Sequence, residues 1–265
     1  MDYLQALILG MIQGLTEWLP VSSSGHLVIA QDLLGLKSSE NLVFDLVLHM
    51  GTLTAVLVFF RVEFGRIVWS VLGWRLAKGP EQDKLRRLAM LLIIATIPAA
   101  LAGALFKQEI ENAFNIQLVG VALMANAGIL FTAWRFGSKG TKKSAGMVDA
   151  IVIGLVQVVS IIPGISRSGS TIGSGMLRGL ERETAAVFAF LLSVPVLVGA
   201  FTFGMINLPS YDTTLPIAVI GFATAFLVGF ASIGYLLKAV KSGRLWIFSV
   251  YCLIVGALVL LLSSI

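Results

Sequence analysis

Six stretches of about twenty apolar residues, roughly 42–60, 88–106, 116–134, 184–206, 215–236 and 245–264, constrain this chain more than anything else in it. A helix of that length crosses the hydrocarbon core of a bilayer. Water is not a workable solvent for such a surface: 57% of the 265 residues are hydrophobic and 12% are charged, against about a quarter charged in a soluble domain. The expectation is an all-α polytopic membrane protein, a single membrane domain over 1–265 with six transmembrane helices. Two further apolar stretches, 3–35 and 147–178, are interrupted by Pro, Gly and Ser and do not read as continuous spans. The first follows Asp2 rather than a basic segment and runs into Gln13 and Glu17, unlike a cleavable signal peptide.

Charge sets the orientation. Sixteen of the nineteen Lys and Arg residues fall in 61–87, in 135–147, at Arg178 and Arg182, and at Lys238, Lys241 and Arg244. The positive-inside rule makes these cytoplasmic. The opposite side holds Lys37 and Lys107 with Asp2, Asp32, Glu40, Glu109, Glu111 and Asp212. The basic residues, a net charge of +5 notwithstanding, are explained by topology, so nucleic acid is not an expected partner. The segment from Arg75 to Arg87 reads as a solvated loop that also meets anionic headgroups. A lone cysteine, Cys252, excludes a disulfide framework and Cys-based zinc or iron–sulfur sites.

With the span 42–60 running from outside to inside, 1–41 starts and ends outside, whereas 145–182 starts and ends inside. Each is expected to be a re-entrant helical hairpin, over 3–35 and 147–178. The two also match at one constant offset: Gly10 with Gly154, Gln13 with Gln157, Ser22 with Ser166, Ser24 with Ser168 and Gly25 with Gly169. Opposite orientation plus repeated motif points to inverted-topology repeats, about 1–135 and 145–265, whose broken helices meet near the midplane. Pro20 and Pro163 end the first half-helix of each hairpin. The Ser/Gly loops that follow have unsatisfied backbone groups and must be buried in protein or line a wet cavity.

The residues at those breaks carry the chemistry. Gln13 and Glu17, four apart, share a helix face. The first loop reads Pro20, Val21, Ser22, Ser23, Ser24, Gly25, His26; the second reads Pro163, Gly164, Ile165, Ser166, Arg167, Ser168, Gly169, Ser170, Thr171. Charges at membrane depth cost at least a few kcal/mol each, so Glu17, His26 and Arg167 in both loops at once read as a functional site rather than as packing hydroxyls with a structural ion pair. Arg matches phosphate oxygens, half-helix N-termini favour anions, a hydroxyl beside a His can be a nucleophile with its base, and a carboxylate with an amide oxygen suits Mg²⁺ or Ca²⁺ shared with phosphates. Phosphoryl transfer fits best. An anion transporter uses Arg and half-helix ends in the same way but has less need of a Glu–Ser–His grouping.

These motifs, Gln13/Glu17 with Pro20–His26 and Pro163–Thr171, resemble those of the undecaprenyl-diphosphate phosphatase family, the bacitracin-resistance type, and the resemblance covers essentially the whole chain. It implies a metal-dependent hydrolase in the cell membrane, with its site open to the outer face, that removes the terminal phosphate of a polyprenyl diphosphate carrier used in cell-wall synthesis. Many members have Glu where this chain has Gln13, which leaves Glu17 as the carboxylate for a direct metal bond. Ser24-Gly25-His26 and Ser166-Arg167 are also similar to fragments of the type 2 phosphatidic acid phosphatases, but His49 begins none of the further motif those enzymes need.

The expected mechanism has Ser22, Ser24, Gly25, Ser166, Arg167, Ser168, Gly169, Ser170, Thr171 and the loop N–H groups binding the diphosphate, and Gln13 and Glu17 holding Mg²⁺ or Ca²⁺. Ser23 attacks and His26 takes its proton; His26 or water as the attacking group are the rivals. The alternative function is a polyprenyl-phosphate transporter or flippase built on the same site. Asp45 and His49, also four apart near the outer end of the first full span, read as a second polar shell, structural ahead of catalytic. Trp18, Trp69, Trp74, Trp134 and Trp246 fit interfacial or packing roles, and the Gly-rich helices permit a homodimer.

Overall fold

The structure, a computed structural model, describes all residues except 37–40, 74–77, 138, 208–213 and 264–265. Of the charges and tryptophans used above, Lys37, Glu40, Trp74, Arg75 and Asp212 lie outside the described residues. The described residues form twelve helices and one isolated bridge between Lys142 and Leu180. In chain order the helices are α1 (Tyr3–Trp18), α2 (Ser23–Leu33), α3 (Leu42–Phe59), α4 (Arg61–Leu72), α5 (Pro80–Leu105) and α6 (Lys107–Asn112). They continue as α7 (Ile116–Phe136), α8 (Met147–Val159), α9 (Arg167–Leu177), α10 (Arg182–Asn207), α11 (Leu215–Lys241) and α12 (Leu245–Leu262). Six of them, α3, α5, α7, α10, α11 and α12, are long and apolar enough to cross a membrane. They coincide with the six apolar runs, and the chain is a multi-pass membrane protein.

The segment 61–87 is less loop-like than its charge implied. Helix α4 occupies its first half, and α5 begins at Pro80. Pro in the first helical turn lacks only an N–H that has no intrahelical partner there, and Glu81 and Asp83 in that turn complement the positive end of the helix dipole. Arg86 Nε donates to Ser70 O at 2.8 Å and ties α4 to α5.

The helices pack through small residues. Helix α1 runs against α11, α11 against α3, α8 against α5, and α7 against α12. A Cβ on Gly14 of α1 would fall 2.8 Å from the Gly229 backbone of α11, and one on Gly256 of α12 would fall 2.7 Å from Gly120 O of α7. Close backbone approach is how helices gain dispersion contact where lipid supplies no hydrophobic drive. One buried cluster draws residues from every helix except α6, so the loops between α1 and α2 and between α8 and α9 end up at the centre of a packed body.

Candidate active site

Both central loops arise from the same local sequence logic. Helix α1 stops at Trp18 ahead of Pro20, and α8 stops at Val159 ahead of Pro163. Ser22 then caps α2, its hydroxyl accepting from Gly25 N at 3.3 Å, and Ser166 caps α9 by accepting from Gly169 N at 3.1 Å. The loops are also linked to each other. Gly164 N donates to Ser22 Oγ at 3.0 Å, and Ser168 Oγ donates to Leu19 O at 3.2 Å. Gly164 has φ +103°, and a Cβ there would sit 2.6 Å from Ala122 Cβ, so both backbone and space require glycine. Ser22, at φ 71°, is the one positive-φ residue other than glycine among the described residues. Such strain persists where surrounding contacts fix it, here two N–H groups on one hydroxyl.

Glu17 is the hub. It is 5% exposed. Its Oε1 accepts from Arg167 Nη2, the cross-loop ion pair. Its Oε2 accepts from Ser23 Oγ at 2.6 Å and from Gln13 Nε2 at 2.9 Å, and it lies 3.6 Å from His49 Nε2. Gln13 also reaches Thr52 Oγ1 at 3.3 Å. The His49 Nδ1 lies 2.7 Å from Asp45 O. A carbonyl can only accept, so Nδ1 carries the proton and Nε2 faces the carboxylate. Arg167 leans over the Trp18 ring, 5.9 Å from its centroid, and its Nη1 is buried with no hydrogen-bond partner.

These groups open onto a cavity of about 1380 Å³ lined by Glu17, Ser22, Ser23, Ser24, Asp45, His49, Ser166 and Arg167 at its polar end. Its walls are mostly apolar, from α3 (Leu46, Met50), α5 (Ala99, Ala100) and α10 (Leu197, Phe203), with Asp32, Thr96, Asn115, Gln157 and Ser160 among them. The expected residues divide accordingly. Ser22, Ser23, Ser24, Ser166 and Arg167 line the cavity with Glu17. Gln13, Gly25, His26, Ser168, Gly169, Ser170 and Thr171 stand outside its lining. Thr171 Oγ1 donates back to Arg167 O at 2.8 Å, and Ser170 Oγ is buried without a partner. His26 is not joined to Ser23. Its Nδ1 lies 2.8 Å from Ser22 O and its Nε2 lies 2.8 Å from Tyr251 OH, with the two rings stacked. Since Nδ1 donates to the carbonyl, the Nε2 lone pair is already taken by the Tyr251 hydroxyl.

Three residues that sequence reasoning did not place at the site are there. His49 is the histidine beside Glu17, and its only sequence signal is the spacing to Asp45. Asn126 of α7 bonds both loops, and Tyr251 holds His26. As single polar residues in apolar helices, Asn126 and Tyr251 carry no local signature.

For a divalent cation, the described residues contain no cluster of three or more His, Cys, Asp or Glu. The donor set fits a less demanding arrangement. Gln13 Oε1 is buried with no partner, while its Nε2 faces the Glu17 carboxylate, and Mg²⁺ characteristically takes one or two protein oxygens and completes its shell with water and substrate phosphate.

Comparison with known proteins agrees with this geometry. The model of the family described as bacitracin resistance protein BacA matches residues 6–258. A protein of Syntrophotalea carbinolica named undecaprenyl-diphosphatase is 41% identical over 269 residues, covering 100% of both chains. One of the same name from Korarchaeum cryptofilum is 40% identical over 98% of this chain and 99% of its own. Undecaprenyl-diphosphatase 1 of Bacillus cereus is 38% identical over 97% of each. Glu17, Arg167 and the serines thus sit inside a match that runs nearly end to end, and the chain belongs to the bacitracin resistance protein BacA family.

Proposed function

We propose that this protein is an undecaprenyl-diphosphatase: a membrane hydrolase that converts undecaprenyl or a related polyprenyl diphosphate to the monophosphate and inorganic phosphate. It thereby recycles the lipid carrier for cell-wall glycan synthesis and confers bacitracin resistance. The observation that carries the site assignment is Arg167. A buried guanidinium nitrogen without an acceptor, at the capped start of α9, in a cavity with one polar end and apolar walls, matches a ligand with a diphosphate head and a hydrocarbon tail.

Arg167 and the free N–H groups at the starts of α2 and α9 hold the diphosphate oxygens. Ser23 Oγ attacks the terminal phosphorus as the bond from that phosphorus to the bridging oxygen breaks, and the polyprenyl monophosphate leaves. Glu17 Oε2, which holds the Ser23 hydroxyl at 2.6 Å, receives its proton. Water then attacks the phosphoserine, the bond from phosphorus to Ser23 Oγ breaks, Glu17 returns the proton to Ser23 Oγ, and phosphate is released. His26 serves as the base only after its Nε2 leaves Tyr251. Gln13 and Glu17 are the residues that would hold Mg²⁺ or Ca²⁺, which supplies charge neutralisation of the phosphate oxygens. Charge stabilisation and positioning account for most of the rate in phosphoryl transfer.

The architecture we propose is two inverted repeats with re-entrant hairpins α1–α2 and α8–α9, the site facing the periplasmic side of the inner membrane. Three features support it. Helices α2 and α9 have 11 residues each, about 16 Å at 1.5 Å per residue, too short for a core of about 30 Å. The packing is paired, since α1 lies on α11 as α8 lies on α5. The loop basic residues concentrate on one side.

The test is phosphate release in detergent from undecaprenyl or farnesyl diphosphate, for wild type, Arg167→Ala and Glu17→Ala, with and without EDTA. Release that needs metal and both side chains is expected. A folded wild type that binds the lipid through Arg167 and cleaves nothing would replace the enzyme with a lipid transporter.

A further inference from the structure

Asn126 lies midway along α7, fully buried, and is absent from the cavity lining. Its Nδ2 donates to Pro20 O at 3.0 Å, and its Oδ1 accepts from Ser166 N at 3.0 Å. Pro20 stands between Glu17 and Ser23; Ser166 immediately precedes Arg167. One planar carboxamide therefore bonds the first loop with its donor and the second with its acceptor. Neither backbone group has a helical alternative. Pro20 follows the end of α1, and Ser166, as the cap of α9, has an N–H that no helical carbonyl meets. Cys252 Sγ lies 3.3 Å from Nδ2 and 3.8 Å from Pro20 O.

We infer that Asn126 is a positioning residue for the proposed phosphatase: it sets the register of Arg167 against Glu17 and Ser23 by bridging the two loops from a third helix. Two loop-to-loop bonds, Gly164 N to Ser22 Oγ and Ser168 Oγ to Leu19 O, hold the loops together. Among the described residues, only the Asn126 bridge fixes both against the body of the protein through one rigid group. An Asn in a membrane helix often serves as interhelical glue, and glue alone would put its effect into stability. Here the two bonded backbone groups flank the reacting side chains, so the effect reaches turnover as well as stability. Among the side chains, a carboxylate would lack the donor for Pro20, and Leu, of similar volume, would lack both halves of the bridge.

The experiment uses Asn126→Leu and Asn126→Ala in the full chain, with farnesyl diphosphate as substrate. Rates are counted per folded protein in the monodisperse fraction, and thermal unfolding is followed in parallel. Leu keeps the packing of α7 against α12. The expected result for Asn126→Leu is a protein that still folds but unfolds at a lower temperature, because Ser166 N and Pro20 O lose a buried partner, with a fall in kcat of about 10²-fold, the scale for misplacing reacting groups by roughly 1 Å, and KM within about threefold, because Arg167 and the apolar walls remain. A kcat within about threefold of wild type in either folded variant overturns the inference. So does a change confined to KM, or failure of both variants to fold, which would make Asn126 purely structural. A wild type that cleaves nothing removes the proposed function and this role with it, an outcome distinct from variants that behave like an active wild type.

Discussion

Replacing Arg167 with Met should destabilise the protein more than replacing Arg167 and Glu17 together. Glu17's side chain is 3% exposed and Arg167's is 15% exposed. Removing one partner of a buried pair strands the other charge and costs about 3–5 kcal/mol, whereas replacing both with groups of similar volume is often neutral or better. Ser23 and Gln13 still donate to Glu17, which places Arg167→Met at the low end, about 3 kcal/mol. At about 2–4 °C per kcal/mol for a chain of this size, Tm should fall by about 6–12 °C. Glu17→Gln/Arg167→Met leaves no buried net charge and should melt within about 2 °C of wild type. Trp18, packed beside Arg167, makes intrinsic fluorescence in detergent a direct read of the transition. All of these variants should be inactive, so the stability cycle is read independently of turnover. A double variant that melts as low as Arg167→Met, or an Arg167→Met that melts with wild type, refutes the reasoning.

Four further outcomes follow from the geometry. Ser23→Ala should lose phosphate release, whereas Tyr251→Phe, which removes only the partner of His26 Nε2, should keep kcat within about threefold, a neutral hydrogen bond being worth about 1 kcal/mol; a large loss in Tyr251→Phe would restore His26 to the centre of the chemistry. EDTA should abolish release and Mg²⁺ or Ca²⁺ restore it, and Gln13→Glu should lower the metal concentration for half-activation, checked by metal titration of the rate. Gly164→Ala, at φ +103° against Ala122, should cost about 1–3 kcal/mol or more, seen as lost yield or a lower Tm. At the start of α8, burial pushes the Asp149 carboxyl up, but the Gly146 N–H, Arg178 and Lys142 outweigh it and leave it below the ordinary Asp value of 3.8. A carboxyl lowered in the folded state adds stability that is fully present above the unfolded value and lost as pH falls through the folded one. Wild type and Asp149→Asn should therefore converge in Tm at acid pH below that value and diverge above it; a constant gap at every pH would count against the assignment.

The spans were legible because period and polarity hardly matter once about twenty apolar residues stand in a row. The loops were legible for the opposite reason: Pro20, Pro163, Ser and Gly interrupt apolar sequence where backbone groups have no solvent. Glu17, Ser23 and Arg167 come together as expected, and their spacing within each loop carried that information. Partner choice did not. Ser23 turns to Glu17 rather than His26, because Tyr251 on the last helix occupies His26 and no local pattern announces it. His49 reached the site through the packing of α3 against α1, which depends on how Gly51 and Gly14 let both helices close on α11. Helix α4 was hidden by its charge, since Arg61, Glu63 and Arg66 read as loop until a buried face at Ile67 and Ser70 is seen.

The bond between Arg167 and Glu17 means that the resting site already contains an anion. A phosphate that enters finds Nη1 open, but for the rest of the guanidinium it competes with a tethered carboxylate that never diffuses away. That internal rival weakens every ligand of the guanidinium, product as well as substrate. A diphosphate head, with more charge and a second phosphoryl group to reach the helix starts, loses least by the competition; a monophosphate or free phosphate loses most. The carboxylate thus acts as a discharge device, returning to the arginine as the phosphate departs, and it favours rapid turnover over tight retention in a membrane where the product must move on.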